Sequence, residues 1–232
     1  IVSTMDWGLL ISQPDTPWIN MGTDECLLQW VGQTGRPIMR FYSWDREAVS
    51  FGYFQAYEDI ASWTPVRPLV RRPTGGGLVS HVADWTYSVA IPDHHEWYRL
   101  KACESYCRIH RWVNQALNDL NIPSKLANQA IPTGPGQCFL GAEENDILLN
   151  GFKIAGAAQR RTRKGLLIQG SIQIPDQTIP DRQSAWSESM RETGAKLHGI
   201  KWGRMSLDNQ RKQTIKRLVE EKFQTEVFLK RR

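Results

Sequence analysis

The stretch DILLNGFKIAGAAQRRTRKGLLIQGSIQI, residues 146–174, commits the chain to antiparallel strands. Asn150-Gly151, set between two apolar runs, supplies the positive φ angles of a type I′ turn. RRTRKG makes a second turn, and LLIQGSIQI a further strand ending at Pro175. Upstream, PIMRFYSW, AVSFGYF, PLVRR and WTYSVAI read as strands, the last closed by Pro92. Residues 57–68 are ambiguous and leave room for a short helix. From about His95 to Leu120 the period becomes helical, with Ala102, Tyr106, Ile109, Val113, Ala116 and Leu120 on one stripe. NMGTDECLLQWV reads as a helix capped by Asn20. Residues 121–137, with three prolines and two glycines, read as loop. The C-terminal third is helical, most clearly TIKRLVEEKF, where Ile215, Leu218, Val219 and Phe223 share a face. Strands and helices mix without strict alternation, which predicts an α+β or mixed-sheet α/β fold.

At 232 residues the chain can bury a sizeable core without a disulfide or structural metal. No run of about 18 apolar residues exists, so no membrane span is expected, and the composition excludes disorder and collagen. No repeat, low-complexity tract or linker divides it. One domain over residues 1–232 is expected, with the motifs in 18–175 and a basic helical part over 183–232. Ten Trp residues suit large apolar pockets and interfaces. The net charge of +5 is compatible with an acidic partner and does not indicate nucleic acid. It is also local, since residues 201–232 hold ten Lys+Arg against four Asp+Glu. That end reads as a solvated helix face or as a docking surface for an acidic protein.

Cys26, Cys103, Cys107 and Cys138 form no CxxC and no paired zinc knuckle. Cys103, Cys107 and His110 flank the apolar stripe of a helix, which packing explains, so no metal is expected. Cys26 reads as core on the first helix. Free thiols and the absence of a visible signal peptide in IVSTMDWGLL make the cytoplasm the expected location. The first residue is Ile1 rather than Met, which leaves the true N-terminus open.

Two segments carry candidate chemistry. In RRPTGGGLVSH, Arg71–His81, three glycines let a ligand approach the backbone, and two arginines can take a carboxylate or phosphate. The alternative is a flexible turn beside a solvated arginine pair. It is neither a P-loop nor a dinucleotide fingerprint. In GFKIAGAAQRR, Gly151–Arg161, Lys153 lies on a strand with apolar neighbours and can act as acid, base or clamp, or simply snorkel to water. Gly156, Ala157 and Ala158 are small enough to wall an extended acyl chain or nucleotide.

Together these motifs resemble the lipoate/octanoate protein ligase and transferase family, which is related to biotin protein ligases. NMGTDECLL, MRFYSWDREAVSFGYFQ, HVADWTYSV and LLIQGSI match it too, in order, over residues 18–175. The resemblance implies a mixed sheet flanked by helices, of the kind shared with class II aminoacyl-tRNA and biotin synthetases. It implies that Arg72, Thr74 and the Gly75, Gly76, Gly77 loop shape an acyl tunnel with Gly156 and Ala157. Lys153 would contact the acyl carbonyl, and His81 would line the site or serve as a satisfied core histidine. Trp44, Tyr53 and Trp85 are further candidates for the tunnel.

Cys138, in GPGQCF, looks like the nucleophile of the cysteine-type octanoyltransferases. Those take an acyl group from octanoyl-acyl carrier protein and pass it to a lysine of a lipoyl domain or glycine-cleavage H-like protein. No cofactor is then needed. A thiol requires activation at neutral pH, with Lys153 or His81 as its base or charge partner. Alternatives are a lipoate ligase using ATP and Mg, a lipoyl amidotransferase, and a silent module that binds lipoyl or carrier proteins. Two departures from the family bear on substrate: Gln169 stands where a His is usual, and AEENDILLN is unusually acidic.

Overall fold

The computed structural model describes residues 6–131, 141–174 and 182–231. In chain order it forms β1 (Asp6–Ile11), α1 (Pro17–Thr34), β2 (Ile38–Tyr42), β3 (Ala48–Phe51), α2 (Tyr57–Trp63) and β4 (Leu69–Arg71). Then come β5 (Val79–His81), β6 (Trp85–Pro92), α3 (Glu96–Arg99), α4 (Ala102–Asp119), β7 (Lys125–Leu126) and β8 (Ile147–Leu149). The remainder is β9 (Phe152–Thr162), β10 (Gly165–Ile172), α5 (Arg182–His198), β11 (Lys201–Arg204), α6 (Asn209–Leu218) and α7 (Glu226–Leu229). A π-helical turn, Val219–Phe223, continues α6.

The mixed-sheet expectation holds. Eight strands line up as β11-β1-β2-β6-β10-β9-β8-β7, and a small sheet runs β4-β3-β5. β1 is parallel to β2 and β11, whereas β6, β10, β9 and β8 pair antiparallel in succession. The Asn150-Gly151 turn is as expected, with φ of 52° and 86°.

Strand alternation divides the large sheet into two different faces. Trp7, Leu9, Met39, Phe41, Tyr87, Val89, Leu166 and Ile168 point to one side and pack on Ile109, Trp112 and Val113 of α4 and Trp186 of α5. This side takes most of the tryptophans. Trp7, Trp97, Trp112 and Trp202 meet edge to face, and Trp85 stacks on Trp186. Trp44 instead lines a pocket on the other face of the sheet. Trp85 belongs to this core, and Tyr53 packs against the C-terminal segment through Phe228 and Arg231.

The opposite face carries α1 and a buried polar network. Asp24, fully buried, accepts from Arg40 Nη1 at 2.7 Å, Ser88 Oγ at 2.7 Å, Gln169 Nε2 at 2.7 Å and the Tyr42 hydroxyl at 3.2 Å. Arg40 also donates to Asn20 Oδ1 at 2.7 Å and Ser12 Oγ at 2.9 Å. Burial first, then the Asp24 charge, pushes the Tyr42 phenol up, so it remains a neutral donor. Asn20 is therefore an interior partner of Arg40 and not a helix cap. Thr16 caps α1 instead, its Oγ1 accepting from Ile19 N, and Pro17 opens the helix.

Other departures are local. The 95–120 helix is two, α3 and α4, broken at Leu100-Lys101, where Lys101 N–H donates to Glu104 Oε2 at 2.7 Å. Ile109, Val113 and Ala116 of the stripe are buried, but Ala102 is exposed. Short β5, β7 and β11 lay in segments without strand pattern. At the C-terminal end, Ile215 and Val219 pack on Cys26 of α1, and Phe223 on Met21. Much of the basic charge there is paired, as in Lys222–Glu25 at 2.5 Å and Lys230–Glu226 at 3.0 Å. Among the described residues, no helix is long and apolar enough to cross a membrane.

Asp24→Ala would leave the Arg40 guanidinium, 1% exposed, without its carboxylate. Urea unfolding should show a loss of about 3–5 kcal/mol. A loss below 1 kcal/mol would show that the network does not hold the helix to the sheet.

Candidate active site

A pocket lies where the small sheet closes over the polar face of the large one. Met21, Tyr42, Trp44, Ser50, Arg72, Val79, His81 and Thr86 line it, with Gly156, Ala157, Ala158 and Gln169–Ser171 as its floor. It is narrow, about 40 Å³, room for a few waters.

Arg71 and Arg72 diverge from the reading that they take an anionic ligand. Arg72 donates to the carbonyls of Gly75 and Gly77, both at 2.6 Å, and to Ser50 Oγ at 3.2 Å. It staples the glycine loop from beneath. Arg71 turns away and donates to the carbonyls of Tyr53 and Gln55, at 2.7 Å each, and of Leu229 and Arg231, at 2.8 Å each. A fork of donors buried in a sheet finds backbone oxygens nearer than any ligand.

Each glycine of the triplet has its own place. Gly76 has φ of +83°, and a Cβ there would stand 2.9 Å from Arg72 Nη2. A Cβ at Gly75 would meet nothing within 4 Å, so this residue leaves open space. Gly77 supplies a carbonyl to Arg72. Thr74 Oγ1 donates to Gln169 Oε1 at 2.7 Å, while Gln169 Nε2 donates to Asp24. Gln169 thus bridges the loop to the interior network with both ends of its amide.

His81 is both satisfied and in the pocket. Its Nδ1 lies 2.7 Å from Asp84 Oδ2 and its Nε2 2.7 Å from Ser50 Oγ. The Trp44 ring stacks on it at 3.8 Å. Ser50 Oγ also takes an N–H of Arg72, so His81, Ser50 and Arg72 form one hydrogen-bonded chain. Thr86 and Ser171 hydroxyls also donate to Asp84 Oδ2, at 3.1 and 2.6 Å. Asp84, Ser50, Thr86 and Ser171 lie in segments that match the family, but the sequence does not single them out, because only the fold brings them together.

Lys153 does not line the pocket but lies beside its floor at Gly156, through an irregularity in β9. Ile147 pairs with Ala155, but Leu148 pairs with Lys153, so Ile154 is an extra residue. The bulge puts Ile154 and Ala155 both on the core side, and Lys153 beside Gly156. There the ammonium meets Asp146 Oδ2 at 2.7 Å, with the lysine side chain 4% exposed. Lys153 is an interior ion pair and not a snorkelling edge residue. Gly156 makes room, since a Cβ would lie 2.8 Å from Lys153 Cε. Cys138 lies outside the described residues. Among those described, no group of three or more His, Cys, Asp or Glu could hold a metal ion.

The sequence matches the lipoyl protein ligase A/B catalytic domain over residues 16–225. The chain belongs to this family. It is 34% identical over 175 residues to octanoyltransferase LipM of Oceanobacillus iheyensis, covering 72% of this chain and 64% of that protein. LipM of Staphylococcus aureus is 31% identical over 185 residues, covering 73% and 66%. The chain thus spans about two thirds of the length of these relatives. Among solved structures, a lipoate-protein ligase A bound with ATP superposes with a TM-score of 0.77 at 19% identity, covering 97% of this chain and 98% of that one. The bi-partite lipoate protein ligase of Thermoplasma acidophilum, described with its E2 lipoyl domain, gives 0.73 at 20%, covering 97% and 96%. At such identities the likeness speaks for the fold of the lipoyl ligase family.

Two measurements test this geometry. Gly156→Ala should displace Lys153 from Asp146, lowering any lysine-dependent activity at least tenfold with a small change in melting temperature. An unchanged rate would mean the lysine can shift at no cost. Burial pushes the Cys26 thiol up to about 11, so at pH 8 about one in 10³ is thiolate. Peptide mapping after iodoacetamide at pH 8 should find exposed Cys103 alkylated and Cys26 intact.

Proposed function

We propose that this protein is an acyltransferase that moves an octanoyl or lipoyl group from acyl carrier protein, through a Cys138 thioester, to a lipoyl-domain lysine. The observation that carries the reading is the 31–34% identity to octanoyltransferases over the motif-bearing region. The buried Lys153 ammonium beside a floor of small residues is the geometry such chemistry uses. Residues 1–232 act as one catalytic domain in this reading, without ATP or metal, and the free cysteines suit a reducing cytoplasm.

The Cys138 thiolate attacks the donor carbonyl, the carbon–sulfur bond to the carrier breaks, and the carrier thiolate leaves and takes a proton. The acceptor amine then attacks the acyl-enzyme, an amide forms as the carbon–sulfur bond breaks, and the proton lost by the amine returns to the Cys138 thiolate. The exchange between thioesters is nearly isoenergetic, so the work lies in stabilising the anionic tetrahedral states. Lys153 supplies the cation for that. Arg72 fixes the glycine loop as one wall, and His81, held between Asp84 and Ser50 and stacked on Trp44, forms part of another. Burying six or so methylenes contributes about 5 kcal/mol. A chain of that size requires the narrow pocket to part its walls.

Intact-mass measurement after mixing with octanoyl-acyl carrier protein, without ATP, tests this. One octanoyl group should be gained and should be absent in Cys138→Ala. Acylation of a lipoyl domain that occurs only with ATP would overturn the transferase reading in favour of a ligase. Binding of both proteins with no acylation under either condition would leave a binding module.

A further inference from the structure

The carboxylate that meets Lys153 is itself held. Asp146 is fully buried just before β8, and its Oδ2 accepts the Lys153 ammonium and the Glu143 backbone N–H, each at 2.7 Å. Its Oδ1 accepts the hydroxyl of Tyr106. Tyr106 comes from α4, and its oxygen also lies 3.4 Å from the backbone N–H of Ala157. The Tyr106 ring meets His110 edge-on, with centroids 4.1 Å apart. His110 is buried and remains neutral, since desolvation lowers it to about 4. The 143–146 turn, α4 and β9 thus converge on one ammonium beside the pocket floor.

A lysine side chain left loose loses rotamer entropy when it is fixed for a reaction. Here that ordering is already present in the resting protein. We propose that Asp146 and Tyr106 are positioning residues for acyl transfer: Tyr106 orients the Asp146 carboxylate, which holds the Lys153 ammonium over Gly156. The inference rests on the reading of Lys153 as the group that meets the acyl carbonyl. It also decides between the roles open to that lysine. An ammonium donating into a carboxylate acts as a fixed cation, and the proton of Cys138 passes to the leaving carrier thiolate, that of the acceptor amine to the released Cys138 thiolate. Asp146 is fully buried and both its oxygens already accept from protein donors, so in this proposal it acts through Lys153.

The test is octanoyl transfer from octanoyl-acyl carrier protein to a lipoyl domain by the full chain and its variants. Lys153→Ala should lower kcat by about 10²–10³, and added ethylammonium should restore part of it. The same amine should restore nothing in Lys153→Ala/Asp146→Asn, because the carboxylate that captures it is gone. Tyr106→Phe should lower kcat about tenfold at unchanged KM for the donor, and should cost nothing further in an Asp146→Asn background. Equal rescue in both lysine variants, or a folded Asp146→Asn with wild-type kcat, overturns the positioning role while leaving Lys153 in place. Wild-type turnover by Lys153→Ala would instead remove the reading of Lys153, and this inference with it. If Asp146→Asn does not fold, Tyr106→Phe decides: wild-type kcat overturns the proposal, and the kcat loss at constant KM supports it.

Discussion

The buried Asp24–Arg40 pair is the interaction on which the arrangement depends. Two charges removed from water are costly unless every lone pair and proton finds a partner. Here the requirement is met by residues from four elements: Asn20 on α1, Tyr42 on β2, Ser88 on β6 and Gln169 on β10. Satisfying the pair therefore fixes the helix against three strands. Through Gln169 and Thr74 the same hydrogen bonds extend to the glycine loop. The loop is thus placed from the side by Gln169 and from below by Arg72, whose guanidinium occupies two of its carbonyls.

The two sheet faces do different things with the same alternating code. The α4 side is apolar and rich in interlocked aromatic rings. The α1 side holds the polar network, the small floor residues and the pocket. Lys153 and the floor residues sit on the strands β9 and β10, which favours precise placement.

What the sequence disclosed followed from periodicity and turn chemistry. The 146–174 hairpins were legible because Asn-Gly and alternation are local signals. So were the apolar positions Ile109, Val113 and Ala116 of α4. The family resemblance brought Arg72, Thr74, His81 and Gly156 together before any coordinates did. The misreadings share a cause: side chains whose partners are distant in sequence. Asn20 looks like a cap until Arg40, 20 residues away, claims it. Arg71 looks like an anion clamp until the chain end, some 158 residues on, arrives at its guanidinium. Asp84, inside HVADWTYSV, and Asp146, inside AEENDILLN, show no partner until the fold closes on them, and β11 is a strand only because β1 offers it an edge.

The extra residue at Ile154 makes the site a matter of counting. Strand residues alternate sides, so in an unbulged β9 an odd-numbered lysine would fall on the α4 side with Ala155 and Ala157. One inserted residue reverses that parity for everything between the Asn150-Gly151 turn and the bulge. The hairpin then tolerates changes of chemistry along its outer end more readily than changes of length. Removing a single residue there would leave strand pairing intact and turn the ammonium to the wrong face. Length, and not composition, is what this part of the chain must conserve to keep its lysine.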